Sequence, residues 1–326
     1  MIVKVLNKED LKNKKIIEDF LTNRTSISQE KATEELKEVS TTIKQLNEFI
    51  SGNSELSNNA IEIKIKRLIS HFSINLIYEL DSNIAFRRAR KFEEENSDIP
   101  YCFNNIQDLS YIPHEKKSII PLGRFNKKEE SRFYTTIHYS DTEEQFFQTA
   151  ISEINGEKLD YINILDSIPT KRLNTVTIGI FHYFIKNKEF PKYIKEEEKV
   201  FSDIFNDFKK RCVENNLLEL YESYILCSSF FSDIIKRKGS DRLYKVTSVI
   251  ASRLLLSETT DAIVYESVQV MDEPSIVIKT SIVDTNIIHK AALCFKVNEN
   301  LGYGIYEVSP ISECEIVDNK LEWEKK

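Results

Sequence analysis

The sequence predicts an α+β protein, with a helical N-terminal segment ahead of a larger part in which short strands are interleaved with helices. Three observations carry that reading. Over residues 28–50 the apolar side chains Ala32, Leu36, Val39, Ile43, Leu46 and Ile50 recur at the spacing of one helix face. Residues 132–138 instead alternate with the period of a half-buried strand. Helical spacing returns over 173–257, and beyond it 262–265, 293–297 and 304–308 are again strand-like. With 326 residues and 41% hydrophobic content, the chain exceeds one average domain and has enough apolar surface for a substantial core.

Residues 1–80 read as a helical extension. Ser28 is an N-cap and Gly52 a stop for the first helix, and Ile61, Ile65, Leu68, Phe72 and Leu76 place a second over 59–80. Joined antiparallel through GNSELSN, the pair would bury both stripes, as a buttress or as a regulatory, docking or self-association element. His71 falls beside the stripe as a packed residue. Asp81-Ser82-Asn83 is a boundary turn, after which 81–326 form the second domain. It opens with a strand over 84–92, on which Arg88 and Arg90 point one way and Arg87 the other. Residues 93–118, polar and holding Pro100 and Pro113, read as loop. A strand over 159–165 precedes the helical section at about 173–257, in which 195–199 form a solvated face; the chain ends in a charged tail with Trp323.

Residues suited to one chemistry are densest over 123–153. Arg124 precedes the strand, Tyr134 sits on it, and Glu153 closes the following helix, whose apolar face is Phe146, Phe147, Ala150 and Ile151. Such a trio suits a phosphorylated substrate containing an aromatic ring. A guanidinium fork clamps phosphate, a tyrosine face stacks on the ring, and a carboxylate stabilises developing positive charge.

Other chemistries lack their residues. Seven glycines leave no G-x-G-x-x-G and no G-x-x-x-x-G-K-[ST], so neither a Rossmann dinucleotide site nor a P-loop is available. The five histidines never pair at i and i+4, which argues against a metal centre. A net charge of −7 argues against a nucleic-acid partner. Cys102, Cys212, Cys227, Cys294 and Cys314 show no C-x-x-C spacing and read as reduced, buried thiols. No leader-like start and no run of eighteen apolar residues occur, so the expectation is a soluble cytoplasmic protein without a membrane partner.

Four segments in order resemble the RES-domain family, named for its Arg, Glu and Ser. Phe86-Arg87-Arg88-Ala89-Arg90 is similar to its "YRAR" opening, and Thr149-Ala150-Ile151-Ser152-Glu153-Ile154 to "TAxxEV". Residues 244–251, YKVTSVIA, are similar to "YxxTQxIA", and 261–267, DAIVYES, to "DGIxYPS". The resemblance runs from about residue 84 to 297, roughly two thirds of the chain. It implies an ADP-ribosyltransferase-like core of small twisted sheets that holds NAD bent in a cleft and cleaves its nicotinamide–ribose bond. NAD is then a substrate and no cofactor is needed. Bacterial toxins of this family are restrained by an antitoxin, and a phage-defence role is the related expectation. The resemblance implies phosphate contacts from Arg124 and from Arg88, with Arg87 the close alternative, and nicotinamide or ribose contacts from Tyr134. It implies an oxocarbenium-stabilising Glu153, with Glu143 and Glu144 as competitors in the lengthened link, and a positioning Ser267. Asn286 or His289 fills a further family position. Hydrolysis, phosphorolysis and ADP-ribosyl transfer remain open outcomes, as does a silent scaffold.

Overall fold

A computed structural model describes residues 14–92, 101–138, 143–191, 194, 198–270, 273–317 and 320–325. In chain order its elements are α1 (Lys14–Thr25), α2 (Gln29–Ile50), α3 (Asn58–Phe72), β1 (Ile77–Leu80), β2 (Ala85–Lys91), α4 (Ile106–Leu109), a 3-10 turn (His114–Ile119), β3 (Phe133–His138) and α5 (Glu143–Glu153). There follow β4 (Tyr161–Pro169), β5 (Leu173–Thr177), α6 (Ile180–Asn187), α7 (Glu198–Glu214), α8 (Leu218–Lys236), α9 (Asp241–Leu254) and β6 (Ala262–Glu266). The chain closes with β7 (Pro274–Ile278), α10 (Thr280–Asn286), β8 (Ile287–Gly302), β9 (Ile305–Val317) and β10 (Lys320–Lys325). It divides into two compact units, one of Met1–Leu80, Leu122–Lys127 and Asn174–Ile263, the other of Asp81–Pro121, Lys128–Leu173 and Val264–Lys326.

The first unit is mainly helical. Ser28 caps α2 by accepting from the Lys31 amide, and Ser57 caps α3 by accepting from Ala60, satisfying amides that a helix start leaves without partners. Gly52, at φ 82°, follows the end of α2. The stripes Ala32, Val39, Ile43, Leu46 and Ile61, Ile65, Leu68, Phe72 are buried as expected, but on other partners. α2 packs chiefly on α8 and α3 chiefly on α9, with α2 and α3 touching each other less. Each fully buried Leu or Ile contributes roughly 1.5–3 kcal/mol, so residues 14–80 and 174–263 stabilise one core. The second helix also ends earlier than its stripe suggests: after Phe72, Ser73 is extended, and Ile77, Tyr78 and Leu80 enter β1 as buried side chains. Nor does the helical section begin at Leu173. Thr175, Val176 and Thr177 are β-branched and buried, and they make β5. Within this unit the strand order is β1-β5-β6.

The second unit holds a large open sheet with flanking helices, ordered from the end of β6 as β6-β7-β3-β2-β4-β8-β9-β10. The charged tail forms the edge strand β10, and Trp323 donates its indole N–H to the Phe103 carbonyl at 2.8 Å. One irregularity matters for function. The antiparallel β2–β3 ladder ends at Arg87↔Thr136, whereas β2 continues along β4 to Lys91 and β3 pairs with β7 back to Phe133. The two strands therefore part beside Arg88 and Tyr134.

α5 lies across this sheet. Ala150 and Ile151 pack with Ala89, Ile162, Ile164, Phe295 and Val297, and the Phe147 ring sits 4.8 Å from that of Phe295. The Gln148 side chain donates to the Tyr306 carbonyl at 3.0 Å and accepts from its amide at 2.7 Å, pinning the helix to β9. No described helix is long and apolar enough to cross a membrane.

Candidate active site

Where β2 and β3 part, a cavity of about 260 Å³ opens between them and the end of α5. Arg88, Tyr134, Glu153, Tyr265 and Ser275 are among its lining residues. Glu153 is the last residue of α5, held there by the apolar packing just described.

Two serines meet the Glu153 carboxylate, both at Oε1. Ser267 Oγ donates at 2.6 Å and Ser275 Oγ at 3.0 Å. Ser267 follows β6, where its own Oγ accepts from the Gln269 amide at 3.1 Å and the Val270 amide at 3.0 Å. A hydroxyl has one proton to give, so two amide donors on its lone pairs leave that proton for the carboxylate. Both serines are buried.

The two neighbouring arginines differ sharply. Arg87 pairs with its cross-strand partner Asp166, Nε to Oδ1 at 2.9 Å and Nη2 to Oδ2 at 3.2 Å, and lies over the Phe147 ring. Its charge is thereby neutralised by a bidentate carboxylate. Arg88 has only carbonyls: Nε donates to Leu109 and Ser110, each at 3.1 Å, and Nη1 to Tyr134 at 2.8 Å. The last bond spans the gap where the strand ladder has stopped. Burial, reinforced by Arg90, pushes the Arg88 pKa down to about 10, with the phenols of Tyr134 and Tyr265 opposing. It remains a cation at neutral pH, and among the described residues it pairs with no carboxylate.

The other predicted residues lie as follows. Arg124 belongs to the first unit, where Nη1 and Nη2 donate to the carbonyls of Ile235 and Arg237 at the end of α8, under a cation–π contact with Tyr244 at 5.6 Å. His289 and Asn286 both fall in the second unit. The His289 Nδ1 lies 2.8 Å from Ser167 Oγ and its Nε2 3.4 Å from Ser110 Oγ, while the Asn286 carbonyl accepts from Thr170 at 2.7 Å. Glu143 and Glu144 start α5, but their side chains lie outside the described residues, as do residues 1–13, 93–100 and most of the charged run 195–199. The cavity therefore gathers Arg88, Tyr134 and Glu153, with Ser267 bonded to the last. Sequence reading missed Ser275, Asp166 and Tyr265; a lone hydroxyl in the apolar run PSIVI was the available signal for Ser275. No family model, no curated protein and no solved structure matches the chain.

Proposed function

We propose that the chain is a RES-type, NAD-consuming enzyme whose second unit is an ADP-ribosyltransferase-like core, acting in the cytoplasm as a bacterial toxin or phage-defence effector. The observation that carries this reading is Glu153: a carboxylate held on one oxygen by two serine hydroxyls, in a cavity that also presents a desolvated arginine with no carboxylate partner among the described residues. That pairing suits a substrate that is anionic at one end and develops a cation at the other.

On this reading Arg88 binds the phosphate next to the ribose, and Tyr134 orients the nicotinamide or its ribose. At about 260 Å³ the cavity lies just below the roughly 300–1,000 Å³ of usual small-molecule sites, so it takes the nicotinamide riboside end while the rest of the dinucleotide extends outward. The bond from ribose C1′ to the pyridinium nitrogen breaks, its electron pair returns to the ring, and nicotinamide leaves neutral without a general acid. Glu153 stabilises the oxocarbenium ion, and water adds at C1′ to give ADP-ribose and one proton. Phosphate or a protein nucleophile in place of water gives the phosphorolytic or transferase outcome. An antitoxin that covers this cavity is the partner the reading calls for.

The test is nicotinamide release from NAD by the purified full chain. Wild type should release it, and Glu153→Gln should lower the rate by about two to four orders of magnitude with little change in fold or NAD affinity. Wild-type turnover in that variant would move the role away from Glu153.

A further inference from the structure

The geometry points to Ser275 as a positioning residue that, together with Ser267, decides which oxygen of Glu153 faces the substrate. This inference rests on the reading of Glu153 as the ribose-stabilising carboxylate. Both hydroxyls converge on Oε1, at 2.6 Å and 3.0 Å, and Oε2 has no protein partner among the described residues. A carboxylate with two donors on one oxygen is fixed about its last torsion, and the other oxygen keeps its lone pairs for a ligand. Oε2 is then the atom that accepts from a ribose hydroxyl or from the attacking water.

The two serines make unequal contributions. Ser267 is committed by the Gln269 and Val270 amides, so its proton has nowhere else to go. Ser275 has no other hydrogen bond among the described residues, so its hydroxyl is directed by Glu153 alone. Its backbone is fixed as well, since Ser275 pairs with Thr136 in the β3–β7 ladder and the residue is 1% exposed. Ser267 is therefore the rigid donor to Oε1, and Ser275 is the second donor that fixes the rotation of the carboxylate.

The experiment uses the full chain as wild type, Ser275→Ala, Ser275→Thr and Glu153→Gln. In Ser275→Ala, kcat for NAD should fall about tenfold with KM within twofold. Ser275→Thr, which keeps the hydroxyl, should recover most of that loss. A merely structural role does not lower kcat at unchanged KM. Unchanged kcat in Ser275→Ala, beside an inactive Glu153→Gln, would overturn the inference and leave the NAD reading standing. Should Glu153→Gln stay active, or wild type not cleave NAD, that reading fails instead. Ser275 is then judged by a crystal structure of Ser275→Ala, in which the Glu153 carboxylate should turn away from its wild-type orientation; an unturned carboxylate would overturn the inference.

Discussion

Two arginines, one in each unit, show how the molecule treats a guanidinium taken out of water. In the first unit Arg24, on α1, donates Nε to the Tyr224 phenol at 2.6 Å and pairs Nη2 with Glu35 at 3.2 Å, while its guanidinium lies over the Tyr224 ring. Its charge is answered within the fold. In the second unit Arg88 is desolvated against three backbone carbonyls and has no carboxylate among the described residues. A buried cation without a counter-ion is unfavourable unless something outside the chain supplies one. Arg24 is thus a fastening, and Arg88 is a fastening whose charge no carboxylate among the described residues answers. The nearby Arg87, neutralised by Asp166, follows the Arg24 pattern and makes Arg88 the exception beside it.

The sharpest way to break that contrast is to exchange the losses. Arg88→Gln should lower kcat/KM for NAD by about a hundredfold, mostly through KM, the scale of a lost charge-assisted phosphate contact. Arg24→Gln should lower the melting temperature instead and leave NAD affinity alone. Isothermal titration with NAD and a thermal melt on both variants check the pair. Tight NAD binding by Arg88→Gln would reduce Arg88 to the Arg24 type.

Removing residues 1–80 extends the comparison to whole surfaces. Because the stripes of α2 and α3 are buried against α8 and α9, residues 81–326 expressed alone should be insoluble or molten, whatever further regulatory part the segment plays. A soluble truncation with greater NAD cleavage would make these helices an inhibitor in cis. A smaller effect is expected at Arg124, whose two carbonyl bonds close the end of α8. Arg124→Lys keeps the charge and loses the fork, so it should lower stability by about 1 kcal/mol with KM for NAD unchanged. A raised KM at unchanged stability would return Arg124 to the phosphate.

What the sequence shows of the site is what local periodicity encodes. The alternation over 132–138 and the helical face ending at Ile151 place Tyr134 and Glu153 on β3 and at the end of α5, and the structure has both there. What it hides depends on register. Ser275 reaches Glu153 across 122 residues, through the pairing of β7 with β3. Asp166 neutralises Arg87 only because the β2–β4 register sets them opposite each other. Neither register is written in the residues concerned. β5 was hidden for another reason: five residues are too few to separate a buried strand from the start of a helix by spacing alone.

The smallest expected effect tests how the Arg88 side of the cavity is supported. His289 on β8 reaches Ser110 Oγ, and the Ser110 carbonyl accepts from Arg88 Nε. Burial pushes the His289 pKa from the ordinary 6.5 down to about 4, so the folded protein holds it neutral where the unfolded chain protonates it. Between pH 6.5 and about 4 the unfolded state binds the extra proton, and stability falls as pH falls through that window. Above pH 6.5 His289 contributes no pH dependence, and below about pH 4 its contribution is constant again. The loss at the bottom of the window should be at most about 3 kcal/mol, because binding one extra proton in the unfolded state costs about 1.36 kcal/mol for every pH step of one. Urea midpoints measured from about pH 7.5 to about pH 4.5 for wild type and His289→Gln separate this residue from the carboxylates that titrate in both proteins. The difference between the two curves should close as pH falls, because glutamine does not titrate and wild type is losing stability. Curves that stay parallel would mean that His289 takes its proton in the folded state as readily as in the unfolded one. A half-buried neutral imidazole behind Ser110 would then not be part of what holds Arg88 in place.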